Sequence, residues 1–461
     1  MASANSTRAM GSGSVKKLLL QLAIPAVLGQ IVNLLYNIVD RIYIGHIPEI
    51  GGAALTGVGL FSPILMLITA FAMMMGTGGS PLAAISMGKQ DKDRAEKIMA
   101  NCFTVLLIFS VVLTAVLYYF APTLLRFFGG SDVTLPYAVA YGRIYILGSV
   151  FVLIVIGMNP FITAQGFAKI SMLTTVIGAV CNIILDPIFI FALDLGVKGA
   201  ALATVISQAV SAVWTLLFLF GKKTVLKLKP SNMPLRRALI LPCFGLGIST
   251  FVMLSTESIL SISFTNSLFR YGGDPAVGAM TILTSLNQLL TMPLTGFCMG
   301  GGPIISYNFG AGKNNRVREA FFTQFAICVG YATLFWIALM IVPQFFAKIF
   351  TSNLELAEYA AWAIRIYLGC GFAVGFQIAC QQSFMALGQA KVSLLMACLR
   401  KIVLLIPLIF ILPNFLTNQV FAVFLAEPIS DVIAAGVTTL VFLTSFPKIL
   451  AKGPDKKGSS A

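Results

Sequence analysis

The sequence is poor in charge. Of its 461 residues only 10% are Asp, Glu, Lys or Arg, against 58% that are apolar. A soluble domain carries about 25% charged residues. A chain with less than half of that cannot keep a folded surface wet, so a water-soluble enzyme is excluded. Histidine is nearly absent: His46 stands alone, and one imidazole cannot build a metal site. The eight cysteines (102, 181, 243, 298, 328, 370, 380 and 398) all lie in or beside apolar runs, and none forms a CxxC pair. Neither a disulfide framework nor a zinc site is indicated. Acids are scarce as well, 16 against 31 Lys and Arg, for a formal charge of +15. In a nucleic-acid binder the excess base would cluster on one face of a polar fold. Here it sits in short breaks between long apolar runs, so no nucleic-acid partner is expected.

What is present is a series of apolar segments. A bilayer core takes about 20 apolar residues as helix. Twelve segments meet that length: 18–44, 53–80, 98–121, 137–165, 171–193, 198–220, 238–268, 276–304, 320–346, 360–387, 392–413 and 419–446. Barrel strands alternate over about 10 residues, whereas these runs are continuously apolar. The expected fold is all-α, with twelve transmembrane helices surrounded by membrane lipid. Residues 1–14 have no apolar core and are not a signal peptide. They are expected to form a disordered leader, and residues 449–461 a disordered tail. Loop bases give the orientation. One set of breaks holds 22 Lys and Arg; the alternate set holds only Arg126, Lys198, Arg270 and Lys348. Both termini are therefore expected in the cytoplasm, and the +15 reflects topology.

The chain also repeats itself. Residues 143–171 and 365–393 share ten identities in 29 ungapped positions, including Arg143/Arg365, Tyr145/Tyr367, Gly166/Gly388 and Lys169/Lys391. An offset of 224 aligns Met75-Gly76 with Met299-Gly300 and Gly88-Lys89 with Gly312-Lys313. Each half holds six spans, so the repeats are parallel. The expected organisation is a bundle over 15–220, a basic cytoplasmic linker over 221–237 and a second bundle over 238–448. Two similar bundles flanking a midplane site are transporter architecture.

A charge inside a bilayer is costly, so intramembrane acids are functional candidates. Asp40, Asp186, Glu257, Glu427 and Asp431 lie within spans. In the first span Gln30, Asn33, Asn37 and Asp40 form one polar stripe. Ser171, Thr175, Gly178, Asn182 and Asp186 form another in the fifth, and Thr204, Gln208, Ser211 and Thr215 a third in the sixth. Hydrogen-bonding glue between helices accounts for many Ser, Thr and Gln members. An amide would serve as glue without the charge penalty, which sets Asp40 and Asp186 apart. Asn159, Asp186 and Glu427 each precede a proline, and a proline frees a carbonyl one turn back. An offset of 217 aligns Asp40 with Glu257; an offset of 223 aligns Thr204 with Glu427 and Gln208 with Asp431. The first-half cluster of acids, Asn and Thr suits H⁺ or Na⁺. The second-half acids suit a cationic substrate, and neutralising them is expected to weaken dications most. Arg400-Lys401 lies about 12 Å into the eleventh span at 1.5 Å per residue. Snorkelling to the surface is favoured over pairing with second-half acids.

Taken in order, Asn37-Ile38-Val39-Asp40, Gly88-Lys89, Asn182-x-x-x-Asp186-Pro187 and Gly196-Val197-Lys198-Gly199-Ala200-Ala201 resemble the MATE (multidrug and toxic compound extrusion) transporters. Tyr36-Asn37-x-x-Asp40 and Glu427-Pro428-x-x-Asp431 look like the bacterial MepA-type branch, with DinF-like acids in the first half. The resemblance spans residues 15–448. It implies a monomeric antiporter of the bacterial cell membrane that exports organic cations, antibiotics among them, in exchange for H⁺, with Na⁺ second. No cofactor is implied beyond the coupling ion. Coupling roles carry over to Asp40, Asn159, Asn182, Asp186 and Thr204, with Asp40, Asn182, Asp186 and Thr204 the Na⁺ candidates. Substrate roles fall to Tyr36, Asn37, Glu257, Gln288, Met292, Glu427 and Asp431. A NorM-type second-half Na⁺ site would need an acid in the tenth span, which has Gln377, Gln381 and Gln382 instead. The rival readings are a flippase for lipid-linked precursors, which would want basic residues in its cavity, and a channel or membrane enzyme. Neither pore rings nor a nucleophile–base pair is visible.

Overall fold

The computed structural model describes residues 10–351 and 353–454, and all regular elements among them are helices. In chain order they are α1 (Val15–Gly45), α2 (Gly51–Gly88), α3 (Lys92–Phe127), α4 (Leu135–Leu147 and Ser149–Ala164), α5 (Ala168–Ala192) and α6 (Gly196–Phe220). The helical run Arg237–Gly310 is 74 residues long and breaks at Gly273, whose φ of 63° lies in the left-handed region. It is therefore two spans, α7 (237–272) and α8 (274–310). Then follow α9 (Asn314–Ile341), α10 (Leu354–Tyr367 and Gly371–Ala386), α11 (Ala390–Asn414) and α12 (Gln419–Lys452). The two halves of α4 meet at 58° and those of α10 at 50°. The twelve apolar runs of the sequence are thus twelve crossings of a multi-pass membrane protein.

Local chemistry sets the ends. Asp91 caps α3 by accepting from the Arg94 N–H at 3.0 Å, and Asn418 caps α12 by accepting from Phe421 at 2.9 Å. Gly166 and Gly388, equivalent in the two halves, carry φ values of 90° and 72° in the turns after α4 and α10. A side chain would be strained at both. Val111, Leu217, Ile341 and Leu440 stand exposed on the outer faces, an apolar belt that lipid covers.

Helices α1–α6 are termed the N lobe and α7–α12 the C lobe, after the two halves of the sequence repeat. The lobes meet through glycines at the end of the bundle that carries both chain termini. A Cβ on Gly88 would lie 2.0 Å from the Tyr307 carbonyl, and one on Gly310 would lie 2.0 Å from the Ile85 carbonyl. Gly78 and Gly247 pack as closely, onto Cys243 and Met74. The reciprocal contact pairs Gly88 with Gly310, an offset of 222. This corrects the offset of 224 that the dipeptides Gly88-Lys89 and Gly312-Lys313 had suggested. Phe71 on Phe251 (4.9 Å between ring centres) and Thr77 on Thr250 (3.0 Å) extend this interface inward. Beyond the Ser258–Met66 contact, toward the far end, no hydrogen bond or ring pair among the described residues joins the lobes.

The terminal segments are more ordered than expected. Met10 is fully buried, its carbonyl accepts from Asn308 at 2.9 Å and Arg316 at 3.1 Å, and Lys313 donates to the Gly11 carbonyl at 2.6 Å. Met10 and Gly11 of the predicted leader are therefore packed, and α12 runs to Lys452 inside the predicted tail. Residues 1–9 and 455–461 lie outside the described residues. The linker between lobes is strapped to the N lobe. Gln165 Oε1 accepts from Thr224, Val225 and Leu226 at 2.8–2.9 Å, and Asn101 Oδ1 accepts from the Arg236 N–H at 2.7 Å. Buried Glu96 holds Lys229 at 2.5 Å, and its charge raises the lysine's pKa above the usual value.

Candidate functional site

Two clusters of buried polar groups lie inside the bundle, one in each lobe. In the N lobe, α5 carries Asp186 directly before Pro187, which has no N–H to offer the preceding turn. The helix answers with a π-helical turn over Ile188–Ala192. Asn182, one turn earlier, donates Nδ2 to Asp186 Oδ1 at 3.1 Å and to Thr204 Oγ1 on α6 at 3.4 Å. Asp40 on α1 lies side chain against side chain with Asp186. Asp186 and Asn182 are at most 1% exposed. Asp40 Oδ1, Asp186 Oδ2 and Asn182 Oδ1 are buried and have no hydrogen-bond partner within the protein. No Lys or Arg forms an ion pair with either acid among the described residues. Touching carboxylates without a base repel each other in a low dielectric. Their unpartnered oxygens suit a proton or a hard cation, as does the oxygen-only donor set of Asp40, Asn182, Asp186 and Thr204.

Three tyrosines wall this cluster. Tyr36 lies beside both acids, and Tyr141 lies beside the Thr204 side chain. Tyr141 and Tyr145 stack at 6.0 Å, and both meet Phe61 edge-on at 5.6 Å. Tyr141 and Tyr145 were not anticipated as site residues. The signal was in the repeat: Tyr145 aligns with Tyr367, and Tyr367 is buried among Glu257, Glu427 and Asp431 in the other lobe.

Asn159 does not join the cluster. Its Nδ2 donates to the Ser171 carbonyl at 3.2 Å. Ser171 lies fifteen residues before Asp186 on α5, about 22 Å along a helix axis. The equivalent Gln381 donates to the equivalent Ser393 carbonyl at 2.7 Å. Asn159 is thus half of a symmetric brace between neighbouring spans, and the proline after it misled the sequence reading.

In the C lobe the structure overturns snorkelling. Arg400 and Lys401 point into the protein. Arg400 Nε donates to Asp431 Oδ1 at 2.8 Å, and Nη2 reaches Asp431 Oδ1 at 2.7 Å and Glu427 Oε1 at 3.1 Å. Lys401 Nζ donates to Glu257 Oε1 and to the Met253 carbonyl, the latter at 2.8 Å. Pro407 withholds an N–H just beyond the π-helical stretch Leu399–Leu405 that holds both bases. Glu427 and Asp431 are buried behind Arg400, while the Glu257 side chain remains 46% exposed. Of the other substrate candidates, Asn37 is exposed and donates to the Asn33 carbonyl at 2.6 Å. Gln288 is exposed and Met292 half-buried on α8, and no recorded hydrogen bond ties either to the acids.

Comparison with known proteins bears on the fold and the family. The multidrug export protein MepA of Staphylococcus haemolyticus is 24% identical over 426 residues, 91% of this chain and 92% of its own. MepA of Staphylococcus aureus is 23% identical over 432 residues, 93% of this chain and 94% of its own. A solved structure described as MATE in the bent conformation superposes with a TM-score of 0.91 at 24% identity, covering 97% of this chain and 98% of that one. The MatE family model matches twice, over residues 25–188 and 248–411, once in each lobe. With both lobes matched across most of the chain, this protein belongs to the MatE family.

Proposed function

We propose that this protein exports cationic, amphipathic compounds across a bacterial cell membrane in exchange for H⁺, as a monomer with both termini in the cytoplasm. The observation that carries this reading is the Asp40–Asp186 pair: Asp186 is fully buried and Asp40 half-buried, the two side chains meet, and neither is ion-paired with a base among the described residues. Such a pair holds a proton in one access state and releases it in another, because a ligand shifts a conformational equilibrium only through its differential affinity. The MepA relatives, named as multidrug export proteins, support a drug cargo. The excess of loop bases on the terminal side supports cytoplasmic termini. The glycine contacts then close the cytoplasmic side, and drug and proton exchange with the opposite face. Asp40, Asn182, Asp186 and Thr204 would also take Na⁺, the less favoured coupling ion. A flippase wants free bases for a diphosphate; Arg400 and Lys401, the bases inside α11, are instead held by acids, which favours export. The test is efflux of a fluorescent cation from proteoliposomes with ΔpH and ΔNa⁺ imposed separately. Efflux under ΔpH alone is expected. Efflux driven only by ΔNa⁺ transfers the role to Na⁺, and efflux under neither defeats the proposal.

A further inference from the structure

The C-lobe network contains more than the export reading uses. Arg400 and Lys401 are adjacent in sequence, yet they serve different helices. Consecutive positions lie about 100° apart around a helix, so Arg400 turns to Glu427 and Asp431 on α12 and Lys401 to Glu257 and Met253 on α7. Ser430 Oγ donates to the Arg400 carbonyl at 2.9 Å and fixes the π-helical turn. The cluster therefore pairs three acids with two bases, and a single formal negative charge is left over. Exposure divides its members. Arg400, Lys401, Glu427 and Asp431 have side chains 5–14% exposed, whereas Glu257 is 46% exposed. A ligand entering this lobe meets one carboxylate, and that carboxylate is already bonded from behind by an ammonium.

Resting on the cation-export reading, we propose that Lys401 is a specificity-determining residue. It is a resident counter-cation behind Glu257 that limits the C lobe to one monovalent organic cation and disfavours dications, the reverse of the dication preference expected from the acids alone, because Arg400 and Lys401 already neutralise two of the three. Two positive charges brought to Glu257 face Lys401 at short range. At the effective dielectric of a protein surface, a like charge at about 4 Å weakens binding by well over tenfold. A single charge shares the carboxylate's free oxygen. A second charge finds no other exposed acid in this cluster, because Glu427 and Asp431 are buried behind Arg400. Arg400 and Lys401 also explain why so many acids are tolerated in the membrane: each acid has a tethered partner within hydrogen-bond reach.

The experiment is calorimetric binding to the purified full-length protein. The probes are tetramethylammonium and tetraphenylphosphonium, monocations, and ethane-1,2-bis(trimethylammonium), a dication whose short linker brings both charges to Glu257 and Lys401 together. The wild type is expected to prefer the monocations. Lys401→Met should tighten dication binding about tenfold or more and monocation binding by less, reversing or erasing the preference. Lys401→Arg keeps the charge and should keep the wild-type ratio. A folded Lys401→Met protein with an unchanged ratio overturns the proposal, as does a Lys401→Arg protein that shifts it equally. Glu257→Gln gives a second route if Lys401→Met does not fold. It should weaken tetraphenylphosphonium by about tenfold or more, and unchanged binding overturns the proposal. A wild type that binds none of the probes defeats the export reading itself, whereas a wild type that binds a monocation isolates the role of Lys401.

Discussion

In the N lobe Asp40 and Asp186 meet with no base between them; in the C lobe Glu257, Glu427 and Asp431 are held by Arg400 and Lys401. The two lobes descend through the same helix order and share a brace, Asn159 to Ser171 in one and Gln381 to Ser393 in the other. The difference is therefore not in the scaffold but in where the neutralising charge comes from. In this structure each C-lobe acid has a tethered base within reach, although Glu427 Oε2 is left without a partner. Neither N-lobe acid is ion-paired among the described residues. On the proposed export reading, the N lobe exchanges an ion with solution and the C lobe holds a fixed charge pattern against a ligand.

The largest effect expected from breaking this contrast is at Asp186. Asp186→Asn keeps the shape and the bond from Asn182 but removes the exchangeable charge. Coupled efflux under ΔpH should fall by about a hundredfold or more, the scale of removing a positioned proton-transfer group. Thermal stability should hold or rise, since an unpaired buried charge is removed. Proteoliposome efflux together with a melting curve checks both. Wild-type efflux in the variant would take the coupling role away from Asp186.

Arg400 should behave in the opposite way. Arg400→Met leaves Glu427 and Asp431 buried without their partner. Breaking a buried ion pair in this way costs about 3–5 kcal/mol. A clear drop in melting temperature is expected, partly restored by adding Glu427→Gln and Asp431→Asn. A single variant as stable as the wild type would mean that the C-lobe acids do not depend on Arg400, and the contrast between the lobes would collapse.

Much of this was legible in the sequence. Twelve apolar runs gave twelve crossings because a helix that must satisfy its own backbone in lipid leaves few alternatives. Asp186, Asn182 and Thr204 were legible because polar residues spaced by one turn on an apolar helix share a face. The fate of Arg400 and Lys401 was not. Distance from the helix start gives depth but not which neighbours a helix face meets, and the acids that hold these two bases come from helices distant in sequence. Tyr141 was missed because an aromatic in a membrane helix is ordinary filling until its hydroxyl is seen against Thr204. The glycine offset failed because two identical dipeptides outweighed the geometry of a close crossing.

The smallest expected effect sharpens the comparison where the lobes are alike. Asn159→Ala removes one bond to the Ser171 carbonyl; Gln381→Ala removes bonds to the Ser393 carbonyl at 2.7 Å and the Ser393 hydroxyl at 3.1 Å. A net hydrogen bond in a folded protein contributes about 1 kcal/mol. Asn159→Ala should therefore cost about 1 kcal/mol and Gln381→Ala slightly more. Both should leave the pH dependence of efflux intact, because neither side chain reaches an acid. Asn159 lies close to a proline and one span away from Asp186 in sequence, which makes it the natural suspect for a coupling role. If Asn159→Ala shifts the ΔpH dependence of transport while Gln381→Ala does not, then Asn159 acts on the ion path and the brace is not merely structural. If both variants lose similar stability and transport with unchanged coupling, the ion path is confined to the far half of the N lobe, where Asp40, Asn182, Asp186 and Thr204 meet.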